Sequence, residues 1–222
     1  MNIEQARFNM IEQQVRPWRV NDAQVLDILS KVQREEFVPA QCLGMAFADT
    51  QVPLDIDEHR SGQVILPPKM DARMLQALAI TPQERVLEIG TGSGYGTALL
   101  GHCSQHITSW ELDPVLAEFA AANLRRAGFA NFSLHTGDAH EALQDANAQW
   151  DVIVFSGAVA LPPEDFLARL KPGGRLFCYL GEAPVMEACV YTHTQGNLVR
   201  TDLYETMAPT LKGFPVPNHF RF

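Results

Sequence analysis

Val86 to Ala98 reads VLEIGTGSGYGTA. The apolar residues Val86, Leu87 and Ile89 predict a short strand, which breaks into Gly90, Gly92, Gly94 and Gly96 before the helix-compatible Thr97 to Leu100. A strand that ends in a glycine-rich turn and feeds a helix is how an open α/β sheet presents a ligand at its carboxyl edge. Glycine reaches positive φ without strain and lets backbone approach a ligand closely. Spacing excludes two ligand classes. A phosphate-cradling loop needs G-x-x-x-x-G-K-S/T, and no lysine follows these glycines. The dinucleotide pattern G-x-G-x-x-G fails in both frames, at Tyr95 and at Thr97. What remains is E-x-G-x-G-x-G, with Glu88 still in the strand.

The 222 residues, 46% of them hydrophobic, suffice for one compact α/β domain. Seventeen basic against 26 acidic residues give a net charge of −9, with no Lys/Arg cluster, so nucleic acid is not expected as a partner. Cys42, Cys103, Cys178 and Cys189 lie far apart with no C-x-x-C pair, which predicts reduced, mostly buried thiols and a cytoplasmic protein. The start MNIEQARFNMIEQQ lacks the apolar core of a signal peptide, and no apolar run is long enough to span a bilayer.

Residues 3 to 15 predict a helix ended by Arg16-Pro17, because the residue before proline is pushed from helical geometry. Asn21 is expected to cap a second helix whose Val25, Leu26, Ile28, Leu29 and Val32 form an apolar stripe. Residues 41 to 61 read as irregular. The D-x-D-x-H run at Asp55, Asp57 and His59 reads as a solvated turn, and no metal site is expected. A helix follows from Pro68, and strands are expected at His106 to Glu111, Asn131 to His135 and Trp150 to Phe155. Asp113 should cap the helix Pro114 to Ala127. Glu164 to Leu170 predict a short helix. Met186 to Thr194 and Asn197 to Thr206 read as a hairpin around Gln195-Gly196. The tail from Gly213 to Phe222 reads as a partly frayed terminus.

E-x-G-x-G-x-G resembles motif I of the class I methyltransferases that use S-adenosylmethionine, whose sulfonium and ammonium charges suit a nearby carboxylate. The stretch MIEQQVRPWRVNDAQVLDILSKVQREEFVP, Met10 to Pro39, resembles the N-terminal signature of the protein-L-isoaspartate O-methyltransferase family. MAFADTQVPLD, SGAVALPP and LKPGGRL resemble further segments of that family, so the likeness covers most of residues 7 to 210. It implies a three-layer, Rossmann-like α/β fold with a mostly parallel sheet, an N-terminal helical segment and a C-terminal hairpin. The whole chain, 1–222, is expected to form one domain. It would comprise N-terminal helices and an acceptor loop over 1–80, a cofactor-binding sheet over 81–210 and a tail over 211–222.

The resemblance implies S-adenosylmethionine as cofactor and Glu88, Gly90, Thr91, Gly92, Ser93, Gly94, Glu111, Leu112, Asp138 and Ala139 as its binding set. Glu111 lies about twenty residues past the glycine turn, where an acid binds both ribose hydroxyls. The Gly137-Asp138 pair resembles the adenine-binding motif. The implied activity is methylation of the carboxyl group of L-isoaspartyl residues, as protein repair, so the partner is a protein or peptide carrying one. One loop departs from the family. Where relatives read like G-Q-T-I-S-Q-P, with hydroxyls facing methyl donor and acceptor, Gly62 to Pro68 reads GQVILPP. The threonine position is Val64 and the serine position Leu66. Gln63, Val64, Leu66, Lys69 and Ser156 are therefore the acceptor-side candidates, with Lys69 as a cation for a carboxylate and Ser156 as the nearest remaining hydroxyl. Two alternatives stand beside this reading: a methyltransferase for another, smaller or more apolar acceptor, and a cofactor-binding module without transferase activity. A nicotinamide dehydrogenase is disfavoured by the glycine spacing.

Overall fold

The structure is a computed structural model and describes residues 2–217. Helix α1, Ile3–Met10, starts where the Asn2 side chain accepts the Gln5 N–H. It runs on through a π-helical segment, Ile11–Val15, and a 3₁₀ segment, Arg16–Trp18, to Arg19 at φ 61°. The expected stop at Arg16 is thereby corrected. Pro17 sits in the first turn of the 3₁₀ segment, where its missing N–H is not needed. Helix α2, Ala23–Lys31, is capped by Asp22 and not Asn21: the Asp22 carboxylate accepts the N–H groups of Gln24 and Val25. The backbone N–H groups of Asn21 and Asp22 instead donate to the Gln76 side chain.

Residues 41 to 61 are also more ordered than expected. A 3₁₀ segment, Ala40–Met45, leads into an antiparallel hairpin of β1, Val52–Ile56, and β2, His59–Ile65. Val52 and Leu54 alternate into the core, and the Ser61 hydroxyl donates to the Leu54 carbonyl at 2.7 Å. The acceptor segment is therefore the end of a strand. Helix α3, Pro68–Leu78, follows directly.

The main sheet comprises β3 (Arg85–Ile89), β4 (His106–Glu111), β5 (Phe132–Thr136), β6 (Trp150–Val159), β7 (Leu170–Glu182), β8 (Val185–Thr194) and β9 (Asn197–Thr206). Its order is β5-β4-β3-β6-β7-β8-β9. β5 through β7 run parallel, and β8 and β9 are antiparallel additions. Gln195 and Gly196, both at positive φ, make the tight turn between the last two strands. Helices α4 (Tyr95–Cys103), α5 (Pro114–Arg126) and α6 (Glu164–Leu167) complete the layers. Alternation along the strands divides the core. Val86, Val152 and Val154 pack with α2 through α5, whereas Leu87, Ile89, Ile153 and Phe155 pack with α6 and Phe166. The chain order reverses between β3 and β6, which opens a crevice at their carboxyl ends.

Two features differ from expectation near that crevice. β6 continues past Phe155, but its register with β7 slips between Val154 and Ala158, so Ser156 and Gly157 sit in an irregularity. The tail is anchored: the Ala158 N–H donates to the Pro209 carbonyl and the Leu211 N–H to the Ala158 carbonyl, both at 2.8 Å. Phe214 packs on Phe155 and Phe166. Residues 218–222 lie outside the described part. The four cysteines are buried and free, and among the described residues no helix is long and apolar enough to cross a membrane.

Candidate active site

The glycine turn owes its shape to neighbours on both sides. Gly90, Gly92 and Gly94 all have positive φ. At Gly94 a Cβ would meet the Ala120 carbonyl at 3.2 Å and Leu124 Cγ at 3.1 Å, so glycine lets α5 pack against the start of α4. At Gly90 a Cβ would collide with Leu211 from the tail at 2.9 Å. The turn is braced from below by Glu88, which is fully buried. The hydroxyls of Thr97 and Ser109 donate to its Oε2 at 2.5 and 2.7 Å, and Ser156 donates to Oε1 at 3.2 Å. Burial pushes the Glu88 carboxyl up to about 7 despite these bonds.

A cavity of about 360 Å³ lies over the turn, within the usual range for a small-molecule site. Gly90, Gly92, Glu111, Leu112, Asp138, Ala139, Gln63, Val64 and Ser156 all line it, so most of the expected residues converge there. Glu111 ends β4 with its carboxylate accepting the Gly92 N–H at 2.8 Å and the Asp113 N–H at 3.1 Å. Burial raises its pKa. Leu112 stands 47% exposed beside it, an apolar side chain open to the cavity. Asp138 caps a short 3₁₀ segment, Ala139–Leu143; the His140 backbone N–H and ring hold its carboxyl below the usual range.

The remaining expected residues lie elsewhere. Glu88, Thr91, Ser93 and Leu66 border a smaller inner cavity of about 50 Å³ behind the acceptor segment, which also touches Val64, Gly90, Gly92 and Ser156. The Thr91 hydroxyl is engaged with Ser109 at 2.6 Å, and the Ser93 carbonyl accepts from Asn123. Gly94 lines neither space and serves packing. Lys69 is turned away: its ammonium pairs with Asp49 at 2.7 Å and lies 4.2 Å from the Trp18 ring centroid.

Several lining residues were not foreseen. His59 hydrogen-bonds the Asp113 carboxylate at 2.6 Å, tying the β1-β2 hairpin to the start of α5 beside the cavity. The D-x-D-x-H run thus makes one latch, and no cluster fit for a metal occurs among the described residues. Trp110 precedes Glu111 on β4 and stacks on His135, and its buried Nε1 has no hydrogen-bond partner. Pro209, Leu211, Lys212 and Phe214 roof the cavity from the tail. Of these, Phe214 belongs to the tail from Gly213 that was expected to fray.

These surroundings fit S-adenosylmethionine. A carboxylate at the end of β4 suits vicinal hydroxyls, an exposed leucine and an orphaned indole N–H suit an adenine ring, and the glycine cradle admits an amino-acid moiety against backbone.

Comparison with known proteins agrees with the geometry. The family model described as protein-L-isoaspartate(D-aspartate) O-methyltransferase matches residues 5–210. A protein-L-isoaspartate O-methyltransferase of Koribacter versatilis is 37% identical over 197 residues, covering 89% of this chain and 86% of the relative. One from Myxococcus xanthus is 40% identical over 162 residues, covering 73% and 74%. A Plasmodium falciparum structure, described as a candidate protein-L-isoaspartate O-methyltransferase in complex with S-adenosyl-L-homocysteine, shares the fold. Its TM-score is 0.79 at 20% identity, over 96% of this chain and 99% of that one.

Proposed function

The chain belongs to the protein-L-isoaspartate O-methyltransferase family, and from that membership we propose how its residues divide the work and which acceptor they serve. It is an S-adenosylmethionine-dependent methyltransferase. When bound, the cofactor supplies an electrophilic methyl group on a sulfonium. Glu111 takes the ribose hydroxyls, Leu112, Asp138 and Ala139 take the adenine, and Gly90 and Gly92 let the backbone meet the methionine end. Glu88 acts one layer below, where Thr97, Ser109 and Ser156 use its oxygens, and it fixes the turn.

The acceptor is the free carboxylate of an L-isoaspartyl residue in a protein or peptide, and the reaction serves repair. The observation that carries this reading is the meeting of the acceptor segment with the glycine turn: Val64, Gly90, Gly92 and Ser156 border both the cofactor cavity and the inner cavity. A carboxylate is already ionised at neutral pH and needs no general base. These side chains orient the acceptor and exclude water, which is most of what an in-line displacement requires. Val64 and Leu66 give that approach an apolar wall, and Ser156 is the hydroxyl left beside it.

Methyl incorporation into an isoaspartyl peptide and its aspartyl twin tests the proposal. Isoaspartyl-dependent incorporation is expected, and equal incorporation into both peptides would overturn it. Calorimetry with S-adenosylmethionine checks the cofactor part independently: binding tighter than about 1 mM is expected.

A further inference from the structure

The inner cavity is small and mostly apolar in its lining, with a few polar groups that are incompletely satisfied. It opens toward the cofactor crevice at Val64 and Ser156, and its wall includes Asp71, Tyr95 and Glu88. Tyr95 is 1% exposed, and its hydroxyl has no hydrogen-bond partner. Asp71 is engaged on one side by the Arg34 guanidinium at 3.3 Å. That guanidinium is fully buried and already committed: it also donates to the Ala46 carbonyl at 2.8 Å and the Leu66 carbonyl at 2.6 Å. Glu88 already accepts from three hydroxyl donors.

The space therefore has spare acceptor capacity at Asp71 and Tyr95, while Arg34, with three of its five N–H donors already used, is the cation beside it. A carboxylate offers about four lone-pair positions and Asp71 uses one of them here. Burial holds the Asp71 carboxyl near 6, above the ordinary range, as expected where donors are too few. A second carboxylate would meet two acids in this space. A hydrogen-bond donor would complete it.

The acceptor supplies such a donor. In an isoaspartyl residue the free carboxyl and the amide nitrogen sit on the same carbon; in an aspartyl residue a methylene separates the side-chain carboxyl from that carbon. Only the isoaspartyl residue holds an N–H at a short, fixed reach from the reacting carboxylate. We propose that the inner cavity reads this N–H, with Asp71 and the Tyr95 oxygen as its acceptors, and that it thereby separates isoaspartate from aspartate. The inference rests on the isoaspartyl reading above and adds the residues that decide it. The reacting carboxylate stays at the cofactor crevice beside Ser156, while its neighbouring N–H points at the cavity mouth. An aspartyl substrate that places its carboxylate correctly leaves the buried Tyr95 oxygen and the half-buried Asp71 without this donor, which is a cost at a site built to pair it.

The test removes the donor from the substrate and leaves the protein intact. An isoaspartyl peptide is compared with its ester analogue, in which oxygen replaces that N–H without adding bulk. Loss of a hydrogen bond to a charged acceptor should lower kcat/KM roughly 10- to 100-fold, and calorimetry on the S-adenosylhomocysteine-bound enzyme should show weaker peptide binding. In Asp71→Asn the penalty for the ester should shrink, and Tyr95→Phe should shrink it further. Equal rates and affinities for amide and ester would overturn the inference and leave the cavity to an ordered water. A full ester penalty retained in both variants would overturn the assignment of Asp71 and Tyr95. No methylation of the parent amide peptide would overturn the isoaspartyl reading, and this inference with it.

Discussion

Leu66→Ser separates two properties that usually move together. Leu66 is 6% exposed and borders the inner cavity, so its side chain is part of the core. Replacing it removes three carbons from a packed site, and large-to-small core changes of this kind cost about 2–5 kcal/mol. Its backbone carbonyl accepts from Arg34, so the substitution leaves that anchor in place and the loop should keep its path. The new hydroxyl would lie on the inner-cavity wall and gains its effect only where the acceptor carboxylate, held in the crevice beside Ser156, comes within its reach at the border the two spaces share. A hydrogen bond to a charged group contributes about 1.5–3 kcal/mol, which is roughly 10- to 150-fold in rate. The variant should therefore unfold at lower urea yet methylate an isoaspartyl peptide with a higher kcat/KM. Val64→Thr, at a half-buried position that borders both spaces, should add a smaller gain. The measurements are methyl incorporation under subsaturating peptide, urea unfolding, and S-adenosylhomocysteine affinity as a check on the turn. A cooperatively folded Leu66→Ser enzyme with unaltered cofactor affinity and an unchanged or lower kcat/KM would refute the placement of position 66 beside the acceptor.

Three further outcomes follow from the same geometry. Glu111→Ala removes the acceptor of the Gly92 and Asp113 N–H groups and the proposed ribose ligand, so S-adenosylhomocysteine should bind roughly 100-fold more weakly, about 3 kcal/mol; calorimetry showing less than a threefold change would rule out that role. Glu88 is raised from 4.5 to about 7, so the stability linked to its protonation is fully present below about 4.5 and is lost as pH rises toward 7. Glu88→Gln should flatten the fall in unfolding free energy across that window by roughly 3 kcal/mol, and parallel curves for variant and parent would show the carboxyl titrates normally. Gly94→Ala puts a methyl against the Ala120 carbonyl at a φ of 85° and should lower stability by at least about 1–2 kcal/mol, read as a drop in Tm; an unchanged Tm would contradict the close approach of α5.

The parts of this protein that its sequence revealed are those where function is written in local order. The glycine turn, Glu111 at the end of β4 and the Gln195-Gly196 hairpin each depend on residues adjacent in the chain, so spacing alone locates them. The hairpin β1-β2 escaped because Pro53, Asp55 and the Asp57-Glu58 turn interrupt a short alternation that only Val52 and Leu54 carry. Lys69 looked available until Asp49 and Trp18, twenty and more residues away, were brought beside it. The brace around Glu88 is the clearest case. Its three hydroxyl donors lie 9, 21 and 68 positions away, on α4, β4 and β6, and no periodicity links them. A glutamate in a glycine motif was expected to meet the cofactor's charge directly. Instead the parallel pairing of β3 with both neighbours turns it inward, where each strand contributes one hydroxyl and the carboxyl fixes the shape of the turn. Leu66 and Asp71 are the converse. They flank the start of α3 in sequence, but their shared meaning, an apolar wall and an unfilled acid on one small cavity, exists only once Arg34 from the N-terminal segment has gripped both. The departure from the family loop is thus tied to the N-terminal signature: Arg34, within the segment that carries the family likeness, holds the backbone of Leu66, one of the positions where this loop departs.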